Sequence, residues 1–204
     1  TKGVHLDKRL TPILPSGERI IPSFTTYIEA GCGFGGSCFP KDVKALNAYG
    51  AKKGMPMQLL NAVIDVNAVQ YKQVMTRLAK HFPNLDAVRV AVLGLAFKPG
   101  TDDMRESPAI PIVQELLAGS AKVKAFDPVA THEAQKIFEN QPIQYCDTLA
   151  ETVQDVDVVL LLTRWNDFKA LPELLDGVAN PPLVIDGRRM LDKTAFARYE
   201  GIGL

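Results

Sequence analysis

The chain has 204 residues, 47% of them apolar and 23% charged, and its 23 basic side chains offset 23 acidic ones. That is the profile of an ordinary soluble globular protein, with room for one large domain or one domain plus a helical appendage. Zero net charge forces no basic face, so nucleic acid is not an expected partner, and the most apolar run, residues 156–162, is far short of the about 20 residues that cross a bilayer, so no membrane partner is expected either.

Residues 1–31 are rich in turn formers (Pro12, Pro15, Gly17, Pro22, Gly31), start at Thr1 with no signal-peptide pattern, and read as loop with short helical pieces. Glycine then concentrates in Gly31-Cys32-Gly33-Phe34-Gly35-Gly36-Ser37, where the backbone can turn sharply or approach a ligand. Pro40 suits the first position of a helix, and Val43, Ala45, Leu46 and Tyr49 give an amphipathic helix over residues 40–53, ended at Gly54. A longer helix is expected over residues 56–81, with Leu59, Leu60, Val63, Ile64, Val66, Val69, Val74 and Leu78 at helical spacings and Phe82-Pro83-Asn84 as its stop. Its apolar residues cover more than one face, which fits the core of a homodimer; the alternative is a helix packed wholly inside one chain.

From residue 88 the pattern changes. Strand-like runs at 88–93, 123–126, 143–146, 156–162 and 183–185 alternate with helical patterns at 109–118, 131–138, 149–153 and 171–178. Such alternation implies βαβ units and a mostly parallel, twisted sheet. The expected fold class is therefore α/β, with residues 1–87 a helical connector and residues 88–204 a Rossmann-like domain.

Three cysteines without framework spacing favour a reducing, cytoplasmic setting and at least one free thiol; neither they nor the three scattered histidines have zinc-site spacing. Cys38 stands just before a predicted helix start, where free N–H groups and partial positive charge favour a thiolate. Lys41 adds a cation and Asp42 a carboxylate that can handle a proton, so a nucleophile, a cation and a base fall within five residues. On these features alone the alternative stands: a buried cysteine beside a glycine turn, with Lys41 and Asp42 solvated. Cys146 ends a strand and reads as core, and Cys32 has no activating group near it in sequence.

The second informative stretch follows the first strand of the α/β domain, where a doubly wound sheet has its ligand crevice. Only Gly94 stands where a G-x-G-x-x-G fingerprint would begin. The loop instead offers Lys98 and Arg105, both suited to phosphate or carboxylate, ahead of Ser107-Pro108 as a helix start. The other reading is a charged surface loop paired with Asp102, Asp103 and Glu106. Asp127, after the second strand, holds the place of a ribose-binding acid, although Asp-Pro there also makes an ordinary turn.

Together, Gly33-Phe34-Gly35-Gly36-Ser37-Cys38-Phe39-Pro40-Lys41-Asp42 and Phe97-Lys98-Pro99-Gly100-Thr101-Asp102-Asp103-Met104-Arg105-Glu106-Ser107-Pro108 resemble the UDP-glucose/GDP-mannose dehydrogenase family, with Asp186-Gly187-Arg188-Arg189 as a third, weaker match. The resemblance covers the chain from about Tyr27 onward. It implies NAD-dependent oxidation of a nucleotide-linked hexose to the uronate by two hydride transfers, UDP-glucose being the expected substrate. The rivals are a GDP-mannose or UDP-N-acetylhexosamine 6-dehydrogenase and a non-catalytic nucleotide-sugar module. By the same resemblance Cys38 is the catalytic nucleophile and Asp42 assists with water and protons. Lys41 and Arg105 contact NAD, and Lys98 contacts the sugar nucleotide. Tyr27, Ile28, Glu29, Ala30, Gly31 and Gly35 form the segment that cradles the substrate, and Arg188 reaches its carboxylate or phosphate. Arg9 and Arg19 are both candidates for an arginine lent to a neighbouring subunit. No stretch corresponds to the family's N-terminal NAD-binding domain, so the chain is expected to be a fragment that is inactive alone.

Overall fold

The structure, a computed structural model, describes residues 7, 11, 13–18, 20 and 29–203. Tyr27, Ile28, Arg9 and Arg19 lie outside the described residues. Among the described residues the first helix is α1 (Phe39–Lys52), whose second residue is Pro40, a proline placed where its missing N–H costs nothing. The expected long helix is interrupted: α2 (Gln58–Gln70) and α3 (Lys72–His81) meet at Tyr71. Tyr71 keeps helical angles, φ −58 and ψ −29, but Val74 N–H turns to the Tyr71 carbonyl at 3.0 Å, an i,i+3 bond that tightens the ladder there. The surroundings change at the same point. No residue of α2 is fully buried, whereas α3 buries Val74 and Leu78 in the main core. The Tyr71 hydroxyl also donates to Glu115 at 2.9 Å on a neighbouring helix.

The sheet follows: β1 (Arg89–Leu93), α4 (Ala109–Ala118), β2 (Lys122–Phe126), α5 (Thr131–Ile137), β3 (Ile143–Tyr145), α6 (Leu149–Val153), β4 (Val158–Leu161), α7 (Leu171–Leu175), β5 (Leu183–Asp186) and β6 (Tyr199–Gly201). All neighbouring strands pair parallel, in the order β3-β2-β1-β4-β5-β6. The central strands β4 and β5 are buried at every position, as a sheet covered on both faces requires. One core lies under α3, α4 and β1; the other lies under α6 and α7 around Phe168 and Leu171. Strand β6 was not among the expected runs. Tyr-Glu-Gly shows no apolar run, and main-chain bonds such as Val184 N–H to Arg198 O at 3.0 Å make it an edge strand.

This strand order reverses between β1 and β4, where a doubly wound sheet opens its crevice. Here the chain packs tightly at the point of reversal. Gly94, at φ +90, abuts Thr163 so closely that a Cβ would lie 2.4 Å from the threonine Cβ. Thr163 Oγ1 donates to Ala96 O at 2.6 Å. Replacing Gly94 with Ala should therefore lower unfolding free energy by about 2–4 kcal/mol, from strain and overpacking combined. Gly100 has φ +79 with nothing within 4 Å of where a Cβ would stand, and its alanine variant should lose only about 1 kcal/mol. Urea unfolding midpoints check the pair; equal losses would mean that the contact with Thr163 contributes nothing.

Candidate functional site

The two sequence motifs meet through their backbones. Gly36 N–H donates to Arg105 O at 2.8 Å, and a Cβ on Gly35 would sit 2.3 Å from Glu106 O. A Cβ on Gly36, at φ +90, would strike the Phe97 ring at 2.7 Å. Lys44 of α1 pairs with Glu106 at 2.9 Å across the same contact. Ser107 is buried and its hydroxyl donates to Leu95 O at 2.7 Å, fixing the far end of the loop.

Beside this junction lies a cavity of about 730 Å³. Its walls are the segment Glu29 to Gly35, the cavity side of α2 (Val63, Val66, Asn67, Gln70), Phe39, the Phe97-Lys98-Pro99 turn, Arg164 and Arg188. Glu29, Ala30, Gly31, Gly35, Lys98 and Arg188 are thus brought together as expected site residues. Aromatic and aliphatic walls with a few convergent cations suit a ligand with a flat ring at one end and anionic groups at the other.

Arg188 is the best-held cation of the group. Its N–H bonds Asp186 Oδ1 at 2.8 Å, Nε donates to Leu162 O at 2.6 Å and Nη1 to Gly33 O at 2.9 Å. Its Nη2 is buried with no partner among the described residues. Asp186 builds the turn that carries it, Oδ2 also accepting from the N–H groups of Met190 and Leu191 at 2.9 Å and from the Tyr199 hydroxyl at 3.0 Å. Burial and that carboxylate push the Tyr199 phenol well above its usual range.

Cys38 is the N-cap of α1, exposed, with Ser37 Oγ 3.7 Å from its sulfur. It stands next to the cavity residues in sequence but not among the lining ones. Asp42 and Lys41 are exposed and pair with each other at 3.4 Å; neither lines the cavity. Arg105 is exposed and forks onto Asp103 at 2.9 and 2.8 Å, holding that carboxyl below its usual range. The Asp103 carboxylate raises the Arg105 guanidinium in turn. Cys32 is fully buried, its N–H bonded to Gly187 O at 2.9 Å, and burial raises its thiol as it does that of Cys146.

Asp127 does not wait for a ribose. It is buried, and its carboxylate accepts from the N–H groups of Leu95, Ala96, Val129 and Ala130 at 2.8–3.1 Å and from Trp165 Nε1 at 3.2 Å. Gly31, Gly33 and Gly36 do fall at G-x-G-x-x-G spacing, yet among the described residues no strand leads into them. Sequence reasoning missed Asn67, Gln70 and Arg164. The first two are polar residues three apart inside an apolar helical pattern, a legible irregularity. Arg164 follows β4, where the loops at the carboxyl ends converge; it pairs with Glu29 and donates to Arg188 O.

The fold and site define an α/β protein with an all-parallel, doubly wound sheet, a cavity lined by cations and a cysteine at a helix start. Residues 91–193 match the UDP-glucose/GDP-mannose dehydrogenase family, UDP binding domain, and residues 8–69 match that family's central domain. The chain belongs to this family. It is 42% identical over 178 residues to a UDP-glucose 6-dehydrogenase of Haloferax volcanii, covering 87% of this chain and 40% of that one. With the Rickettsia felis enzyme of the same name it shares 37% over 209 residues, covering 100% and 44%. Among solved structures it resembles a UDP-glucose dehydrogenase of Pyrobaculum islandicum, with TM-score 0.78, 32% identity, and 98% and 42% of the two chains covered. It also resembles a GDP-mannose dehydrogenase of Pseudomonas aeruginosa, with TM-score 0.70, 27% identity, and 86% and 41% covered. The chain thus spans about two fifths of the length of these relatives.

Exposure orders the thiols. Alkylation at neutral pH followed by peptide mapping should label Cys38 first, with Cys32 and Cys146 reacting only on unfolding. Preferential labelling of Cys146 would contradict the assignment of Cys38 as the accessible nucleophile.

Proposed function

We propose that this chain supplies the cysteine loop and the nucleotide-sugar domain of an NAD-dependent UDP-glucose 6-dehydrogenase of the cytoplasm. The observation that carries the reading is the cavity lined by both Lys98 and Arg188 beside the loop of Cys38. A nucleoside diphosphate sugar suits it: cations for the diphosphate, apolar walls for the flat base, and glycine main chain close enough to hydrogen-bond the sugar.

Within this reading Cys38 Sγ bonds to the aldehyde carbon derived from the sugar's primary alcohol and holds it as a thiohemiacetal. Oxidation of that carbon gives a thioester, and water releases carboxylate and free thiol, which makes the last step the irreversible exit. Asp42, one helical turn from Cys38, is the base assigned to that water. NAD, when bound, supplies the hydride acceptor for both oxidations. Gly94 packed against Thr163 and the fully bonded Asp127 give the sheet no ordinary dinucleotide grip. Lys41 and Arg105, exposed beside Cys38, are the groups assigned to NAD. The purified 204-residue chain is accordingly expected to form no NADH from UDP-glucose. A homodimer through α2 accompanies the reading, supported by the exposure of Leu59 and Val69.

The site is tested by substitution. A charge-assisted contact contributes about 1.5–3 kcal/mol, so Lys98→Ala should weaken UDP-glucose binding by roughly one to two orders of magnitude in a calorimetric titration. Arg105→Ala should leave it nearly unchanged, since Arg105 lies outside the cavity. Equal losses would reduce the loop to a general anion patch, and unchanged affinity in both would remove it from the site.

A further inference from the structure

The glycine segment beside the cavity belongs to no helix or strand, yet it has to hold one shape. Its carbonyls are held by side chains from distant elements. Gln70 Nε2 donates to Gly31 O at 2.8 Å, and Arg188 Nη1 donates to Gly33 O at 2.9 Å. Asn67 alone grips a residue from both sides: its Oδ1 accepts from Phe34 N–H at 2.9 Å and its Nδ2 donates to Phe34 O at 3.0 Å.

Asparagine is a poor helix former, because its side chain competes for backbone bonds, so its place inside α2 costs helix stability. On this half-exposed helix the partly covered positions run along one stripe through Leu60, Ile64, Asn67 and Tyr71. Where the stripe meets the glycine segment an amide replaces the apolar residue that helical spacing would supply. The fit is tight. A Cβ on Gly33, at φ +114, would lie 3.0 Å from Asn67 Oδ1. Asn67 also lines the cavity itself.

We propose that Asn67 is a positioning residue of the nucleotide-sugar site: its amide clamps Phe34 and so sets the main chain of residues 31–36 against the cavity. The inference rests on the nucleotide-sugar reading for its ligand, and on geometry alone for the clamp. Phe34 is four residues from Cys38, and Gly36 between them is tied to Arg105 O, so the clamp acts on cradle and cysteine loop together. Asn67 donates and accepts without carrying charge, so it acts through the shape of the segment and not through the ligand's phosphates.

The test compares wild type with Asn67→Leu, which keeps the branching at Cγ and loses both bonds, and Asn67→Asp, which keeps the acceptor for Phe34 N–H. Asp65→Asn, exposed on the same helix and away from the cavity, is the control. Calorimetric titration with UDP-glucose, thermal melting and amide hydrogen exchange of residues 31–36 are read on each. Asn67→Leu should bind about tenfold more weakly or worse, with faster exchange at 31–36 and a melting midpoint within a few degrees of wild type. Asn67→Asp should fall between, and Asp65→Asn should match wild type. Affinity and exchange unchanged in Asn67→Leu would overturn the proposal, as would a lowered melting point with unchanged affinity, the mark of a merely structural residue. Should Asn67→Leu not fold, the same readings on Asn67→Asp decide. Failure of wild type to bind UDP-glucose would refute the nucleotide-sugar reading, and exchange at 31–36 would then decide the clamp by itself.

Discussion

The site depends on a close approach of two stretches of chain that glycine at positions 35 and 36 permits. Gly35 lies against the Glu106 carbonyl, Gly36 against the Phe97 ring, and Gly36 N–H bonds Arg105 O. Any Cβ at Gly35 would force these stretches apart, because the obstructing atom is backbone and cannot turn away. From that contact follow the position of Cys38 at the start of α1, the placement of the Phe97-Lys98-Pro99 turn on the cavity wall, and the reach of the Lys44–Glu106 pair across the joint.

The sheet closes the point where its strand order reverses and builds the cavity from the loops that follow β1, β4 and β5. Strand order puts a crevice between β1 and β4, but Thr163 occupies the space over Gly94 and Asp127 gives its carboxylate to four backbone N–H groups and an indole. Asp186 does the corresponding service at β5, folding the turn that carries Arg188. Two buried carboxylates thus organise loops, each compensated by several donors as burial demands. The cation that results, Arg188, is fixed against the glycine segment and lines the cavity.

Much of this was legible in the sequence, for identifiable reasons. The β1, β4 and β5 runs are short, apolar and bounded by turn residues, and helical patterns between them imply parallel pairing. Strand β6 escaped because Tyr-Glu-Gly pairs through its backbone at an edge. The interruption at Tyr71 escaped because Tyr71 itself keeps helical angles, and the change lies in what α2 and α3 pack against. Lys98 and Arg188 were legible as cations at the carboxyl ends of strands. Asn67 and Gln70 were hidden inside an apolar helical pattern, and the grouping of Lys41 with Asp42 took no account of the ion pair between them.

The central claim is that a nucleotide ligand lies against the glycine segment and the Phe97-Lys98-Pro99 turn, and not over Gly94 where the strand order reverses. Amide chemical-shift mapping of the chain during titration with UDP tests it most directly. The largest changes are predicted at residues 31–36, at Phe97 and Lys98, and at Arg188, with little at Gly94, Asp127 or Thr163. Changes concentrated at Gly94, Asp127 and Thr163, with residues 31–36 unmoved, would contradict the account.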